Sequence, residues 1–320
     1  MKIAVAGAGA FGTGLAIALC GKGPIGLFGR DRLGVDHMIH KRENKARLPG
    51  ITLPADILPS ADPAILATAD VALLCIPTQK LSGFLMENHQ HLDRKPVIAC
   101  CKGIDLMSLD GPADMIARTL PQATAGMLTG PSFAQDIARR LPTALTLASA
   151  DSSVAEDLQR ILTRPTLRIY RSADVTGAQL GGALKNVVAI AAGACIGAGL
   201  GESARAALVT RGYAEMQKIA AILGAQPETL MGLSGLGDVM LTCGSPQSRN
   251  FSLGLSIGRG DMFDPGVTVE GAATAQAVVR IAKDRDLDLP VSTAVHDLVT
   301  GQRNVAEVLG TLLSRPLREE

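Results

Sequence analysis

Lys185 is the one charge in the apolar run from Gly181 to Gly201, and Asn186 follows it directly. A lysine in such a run is a buried ion-pair partner, a helix-end charge, or a group that moves a proton. On a helix, Gly181 and Gly182 lie one turn before Lys185, and Val188 and Ala189 one turn after. That face of small residues lets another element or a ligand approach the ammonium. Lys102 stands just past the apolar run Pro96–Cys101, placed to meet an anion or a carbonyl oxygen, or simply solvated as most lysines are. Asp238 follows a glycine-rich stretch from Met231 and can position an ammonium or hydroxyl group, or cap a helix. Arg249 and Asn250 end the polar stretch that begins at Gly244. The planar fork of an arginine suits a phosphate, and the alternative is an exposed turn residue.

The elements that must carry these residues begin with Lys2–Ala6, a short apolar strand. Gly7, Gly9 and Gly12 follow as GxGxxG, and Thr13–Cys20 reads as an apolar helix. In that context the first glycine makes the turn, the second admits a pyrophosphate to the backbone, and the third lets helix and strand pack. The spacing predicts a dinucleotide seated on a helix N-terminus. The next strand, Pro24–Phe28, leads into Arg30 and Asp31. An arginine there accommodates a 2′-phosphate, so the reading leans to NADP(H), with NAD(H) open. Further strands are predicted at Asp70–Pro77, Pro96–Cys101, Ala123–Leu128, Thr143–Ala148 and Thr166–Tyr170, with a helix at Val154–Leu162. Ser132 and Gln135 fit a capping box. Strands alternating with helices predict a parallel, doubly wound sheet.

After Tyr170 the strand signal stops, and helices are predicted over Asp174–Leu200, Glu202–Leu223, Gly271–Asp284, Thr293–Leu298 and Val305–Leu313. The chain thus divides into a Rossmann-type α/β part, residues 1–180, and an all-α part, residues 181–320. A cleft between two such parts is a favoured place for a small molecule.

Composition narrows the rest. With 47% hydrophobic and 19% charged residues in 320, the chain is globular, with room for about two cores. A net charge of +1 supplies no field for nucleic acid or a membrane surface. The six cysteines show no metal-ligand spacing and read as reduced core residues of a cytoplasmic protein. No metal site is expected. Val187–Gly201 holds 15 uncharged residues, short of the ~20 that a bilayer needs, so a buried helix is expected there.

Together the motifs resemble the bacterial-type NAD(P)-dependent glycerol-3-phosphate dehydrogenases. They include GAGAFGT at 7–13, NKARLPGI at 44–51, KGI at 102–104, TGPSFAQDIA at 129–138, GALKNVVAIAAG at 182–193, GLSGLGDVMLTC at 232–243, SRN at 248–250 and VEG at 269–271. The resemblance implies hydride transfer between NAD(P)H and dihydroxyacetone phosphate, giving sn-glycerol 3-phosphate for glycerophospholipid synthesis. It implies Lys185 as the proton donor or acceptor, and Lys102, Gly130, Ser132, Asp238, Ser248, Arg249 and Asn250 beside it at the substrate. It implies cofactor contacts from Ala10, Phe11, Arg30 and Lys102, and from Ala134, Arg249, Thr268 and Glu270. Phe11 stands where many members carry Trp, Gly14 where Ala is common, and Arg47 where an aromatic is usual. Two other readings share the architecture: a β-hydroxyacid dehydrogenase with a carboxylate grip, and an NADP(H)-binding sensor without chemistry. A homodimer is compatible with the helical part.

Overall fold

The computed structural model describes residues 1–314. Its first half alternates strands and helices as β1 (Ile3–Ala6), α1 (Ala10–Leu19), β2 (Ile25–Phe28), α2 (Arg32–Lys41), β3 (Ile57–Ser60), α3 (Ala64–Ala67), β4 (Val71–Leu74) and α4 (Thr78–Leu92). The alternation continues through β5 (Pro96–Ala99), α5 (Pro112–Thr119), β6 (Thr124–Thr129), α6 (Ala134–Ala138), β7 (Thr143–Ser149), α7 (Ser152–Leu162) and β8 (Leu167–Ser172). These strands form one eight-stranded sheet in the order β3-β2-β1-β4-β5-β6-β7-β8. Strands β1, β2, β4 and β5 are short apolar runs buried on both faces, as parallel strands covered by helices must be.

The sheet is not wholly parallel. β7 pairs antiparallel with β6, and β8 runs parallel to β7. The chain reverses between β6 and β7 through a link that carries the five-residue α6. β3 was not predicted. Its sequence Ile-Leu-Pro-Ser contains a proline, which a sheet accepts at an edge, and β3 is an edge strand.

The second half is helical: α8 (Val175–Gly197), α9 (Gly201–Ile222), α10 (Pro227–Met231), a π-helical turn at Leu233–Gly237, α11 (Asp238–Thr242), α12 (Arg249–Arg259), α13 (Glu270–Asp284), α14 (Pro290–Val299) and α15 (Val305–Leu313). α8 is the axis of this half. Asp174 caps it by accepting from the Gly177 N–H at 2.8 Å and takes the Gln226 N–H at 2.8 Å with its other oxygen. The boundary expected at residues 180 and 181 falls inside this helix, which begins at Val175. The buried helix expected at Val187–Gly201 is present and starts earlier, at Val175. α8 is 23 residues long and apolar enough to cross a bilayer, but 89% of its most apolar window is buried inside the fold. A helix apolar on all sides is a core helix when other helices surround it.

No helix is expected at α12, whose first two residues end the polar stretch Gly244–Asn250. The helix carries two glycines and two serines, poor helix formers, yet it packs tightly along α8. A Cβ on Gly193 would lie 2.0 Å from the Phe251 carbonyl oxygen, and one on Gly254 2.1 Å from that of Ile190. Gly197 and Gly258 close the same seam against Leu255 and Ala194. Substitution Gly254→Ala is expected to lower stability by about 1–3 kcal/mol through overpacking, read as a lower denaturation midpoint at unchanged slope. Gly310→Ala, on α15 with open space at its Cβ, is the control and should hold or raise the midpoint.

Candidate functional site

Turns after β1, β4, β5 and β6 meet at one edge of the sheet, the carboxyl ends of its parallel strands, where α/β sheets hold their ligands. After β1 comes the glycine-rich turn. Gly7 has φ +109, and a Cβ there would lie 2.5 Å from the Cys75 carbonyl oxygen. A Cβ on Gly12 would lie 2.0 Å from the Gly7 carbonyl oxygen, while one on Gly9 would meet nothing. The first and third glycines are thus required by packing, and the second faces open space at the start of α1. No side chain caps that helix, so its first N–H groups remain available to an anion. Ala10 and Phe11 form its first turn, both half-buried.

The loop after α2 is tied to this turn by Asn44, whose amide donates to the Ala8 carbonyl at 3.0 Å and to the Thr13 hydroxyl at 2.8 Å. Asn44 was not among the expected site residues; its burial amid a polar loop is a tertiary fact with no local signal. A Cβ on Gly14 would lie 2.6 Å from the Ala134 carbonyl oxygen, so Gly14 admits α6 to the surface of α1. The expected capping box is absent. Phe133 is the N-cap of α6, without a side-chain bond, and the Ser132 hydroxyl turns back to the Gly130 carbonyl at 3.0 Å.

The charged centre lies where β5, α8 and α11 converge. Asp238, 1% exposed, accepts from Lys102 Nζ at 2.5 Å on one carboxylate oxygen and from Lys185 Nζ at 3.1 Å on the other. Lys102 also donates to the Gly130 carbonyl at 2.9 Å. Gly182 lets α8 reach this point, since a Cβ there would lie 2.8 Å from the Thr129 hydroxyl. Gly181 does the same for the π-helical turn, at 2.6 Å from the Ser234 carbonyl oxygen. The small face beside Lys185 thus serves close approach by other elements. Burial lowers the Lys185 pKa to about 8, with Asp238 raising it and Lys102 lowering it.

A chain of amides joins this centre to α12 and α13. Asn186 donates to the Lys102 carbonyl at 3.1 Å, Asn250 donates to Asn186 at 2.8 Å, and the Gly271 N–H donates to Asn250 at 2.9 Å. Arg249 and Asn250 therefore sit in the first helical turn of α12, with Ser248 as its N-cap. The Arg249 side chain carries a lowered pKa, from desolvation first, with Glu270 opposing the shift and Arg47 adding to it. Arg47 is thus close enough to Arg249 for its charge to be felt. Glu270 accepts the Thr78 N–H at 3.0 Å on one oxygen. Its other oxygen and the hydroxyls of Thr78 and Thr129 are buried without hydrogen-bond partners, the state of groups that a ligand completes. Burial raises the Glu270 pKa, against the Thr78 contacts and Arg249. Thr78 was missed by the motif reading, although it directly follows the strand-ending Pro77. Thr268 and Arg30 are exposed, the latter two residues beyond β2. Among the described residues no cluster could hold a metal ion.

Removing one member of a buried ion cluster leaves the rest uncompensated. Asp238→Asn is expected to cost about 3–5 kcal/mol in urea unfolding; a loss below ~1 kcal/mol would show that water reaches the pair and screens it.

Comparison with known proteins gives a consistent picture. The family described as NAD-dependent glycerol-3-phosphate dehydrogenase matches by its N-terminus over residues 2–155 and by its C-terminus over residues 174–310. The glycerol-3-phosphate dehydrogenase [NAD(P)+] of Ruegeria sp. (strain TM1040) is 54% identical over all of both chains, and that of Paracoccus denitrificans (strain Pd 1222) 55%. The crystal structure of glycerol-3-phosphate dehydrogenase from Coxiella burnetii superposes with a TM-score of 0.92 at 32% identity, covering 98% of this chain and 99% of that one.

Proposed function

The chain belongs to the NAD-dependent glycerol-3-phosphate dehydrogenase family, and we propose that Lys185 moves the proton in the reaction that this family catalyses. The protein is an NAD(P)-dependent oxidoreductase that interconverts dihydroxyacetone phosphate and sn-glycerol 3-phosphate. The open N-terminus of α1 beyond Gly9 fits a pyrophosphate, and Gly7, Gly9, Ala10, Phe11 and Gly12 would hold it. Ala134, Thr268 and Glu270 would contact the cofactor further on, with Arg30 meeting a 2′-phosphate. Bound NAD(P)H supplies the hydride to the substrate's carbonyl carbon.

The single observation that carries the assignment is the Lys102–Asp238–Lys185 cluster. As the carbonyl is reduced, its oxygen gains negative charge. The Lys185 ammonium has donors left over after its bond to Asp238, and it delivers a proton to that oxygen. Lys102 divides its donors between Gly130 and Asp238, which leaves one to polarise the same oxygen. Two ammonium groups around one carboxylate leave a net positive charge where negative charge develops, which is the form of stabilisation that lowers such barriers most. Arg249 and Asn250 grip the phosphate, with Ser132, Gly130 and Ser248 shaping the seat, so remote binding energy orients the small substrate.

The proposed division of labour puts the cofactor on residues 1–180 and the substrate on residues 181–320, with α8 as the wall they share. The same reading takes the protein to the cytoplasm as a supplier of glycerophospholipid synthesis, free of nucleic-acid and membrane partners and compatible with a homodimer.

Lys185→Ala is expected to lower kcat by ~10²–10⁴-fold while NADPH binding, followed by nicotinamide fluorescence, stays near that of the parent. Near-parental turnover would remove Lys185 from the mechanism. The pH dependence has a definite sign. Reduction needs the ammonium, so its kcat/KM falls as pH rises through about 8; oxidation needs the free amine and rises through the same range. Arg30→Ala should raise KM for NADPH well above its effect on NADH, and equal effects would move the 2′-phosphate contact elsewhere.

A further inference from the structure

β4 and β5 are parallel neighbours with Leu74 opposite Ala99. The ladder continues one step further, since the Cys100 N–H donates to the Leu74 carbonyl at 2.8 Å. Cys75 and Cys100 are therefore the next registered pair. Side chains along each strand alternate between faces, and the two apolar layers confirm it. Leu74, Ala99 and Cys101 belong to one layer, and Leu73, Ile98, Cys75 and Cys100 to the other, beneath α1. The two thiols thus lie side by side on one face. Cys100 is buried, whereas Cys75 is only half-buried, at the strand end.

We propose that Cys75 and Cys100 form a peroxide-oxidisable dithiol beneath the glycine-rich turn, whose closure to a disulfide weakens cofactor binding. The oxidant is hydrogen peroxide. The Cys75 thiolate attacks one peroxide oxygen, the O–O bond breaks, and hydroxide leaves as water with the thiol's proton, giving a sulfenic acid. The Cys100 sulfur then attacks the Cys75 sulfur; the S–O bond breaks, and the hydroxyl leaves as a second water with the Cys100 proton. Two thiols are oxidised by two electrons and one peroxide is reduced to two waters. The order of attack follows from exposure, because only Cys75 is open to the oxidant. The Cys100 thiol is pushed up, first by its hydrogen bond with Cys75 and then by burial, which makes it the poorer first nucleophile.

Geometry permits the bond and couples it to the turn. Adjacent strands lie about 4.8 Å apart, inside the ~4.4–6.8 Å Cα range of disulfides, but the sulfurs must close to about 2.05 Å and the Cβ atoms to ~3.8 Å. The strand ends are therefore pinched together. Cys75 has no slack to absorb that. Its carbonyl oxygen lies 2.5 Å from where a Gly7 Cβ would be, its own Cβ 3.1 Å from that of Gly12, and its N–H is bonded to the Ala6 carbonyl at 2.7 Å. A shift of Cys75 is passed to both packing glycines of the turn. The consequence for binding rests on the cofactor seat proposed above; the chemistry of the thiols does not.

The test treats the full-length enzyme, without cofactor, with hydrogen peroxide. Titration of the unfolded protein should fall from six free thiols to four, and non-reducing peptide mass spectrometry should show Cys75 joined to Cys100. The NADPH dissociation constant should rise by ~10-fold or more and return on addition of dithiothreitol. Cys100→Ala should stop at a Cys75 sulfenic acid, trapped by dimedone, and Cys75→Ala should keep its five thiols. Six surviving thiols in the parent, or a bridge between other cysteines, would overturn the dithiol. A Cys75–Cys100 bridge with unchanged NADPH affinity would overturn its coupling to the turn, and failure of the reduced enzyme to bind NADPH would count against the cofactor seat alone.

Discussion

One buried carboxylate holds the site together. Asp238 takes a lysine from the end of β5 on one oxygen and a lysine from α8 on the other, so the sheet, the axial helix and the segment after the π-helical turn are joined at a single side chain. None of the three charges would be stable there alone, since an unpaired buried ion costs several kcal/mol. The surrounding architecture follows from that need. α8 must pass close to the sheet edge, and Gly182 allows it; the π-helical turn must lie against α8, and Gly181 allows that. Two hydrogen bonds then fix the Lys102 end of the cluster, from its ammonium to the Gly130 carbonyl and from the Asn186 amide to its own carbonyl.

The glycine seam between α8 and α12 extends the same constraint outward. Arg249 and Asn250 begin α12, and their distance from Lys185 is set by how closely the two helices approach. Backbone contact at Gly193, Gly197, Gly254 and Gly258 leaves no side chain to compress or repack. Interiors packed at this density transmit displacement instead of absorbing it. Arg249 and Asn250 on one helix and Lys185 on the other are thus held as one rigid unit.

What the sequence revealed about this arrangement divides along physical lines. Lys185 was legible because a lone charge in an apolar run demands a partner, and the glycine-rich turn was legible because its spacing is a backbone requirement. The Rossmann-type sheet and the helical half followed from periodicity. The direction of β7 did not, because residue alternation carries no sign. Pro59 hid β3, since a proline counts against a strand until its edge position is known. α12 was hidden by the very glycines that tertiary packing needs, which argue locally for a turn. Asp238 and Lys102 were each visible as candidates, but their meeting was not, because nothing local relates residues 136 positions apart.

The state of Lys185 shows why the cluster has three members instead of two. Burial alone would push this lysine toward the neutral amine, and a lone carboxylate beside it would hold the proton fast. Asp238 raises its pKa while Lys102 competes for the same carboxylate and lowers it, leaving a value of about 8. A group poised there can give up a proton and take one back near neutral pH. The second lysine therefore has an electrostatic role of its own: it weakens the hold of Asp238 on the Lys185 proton.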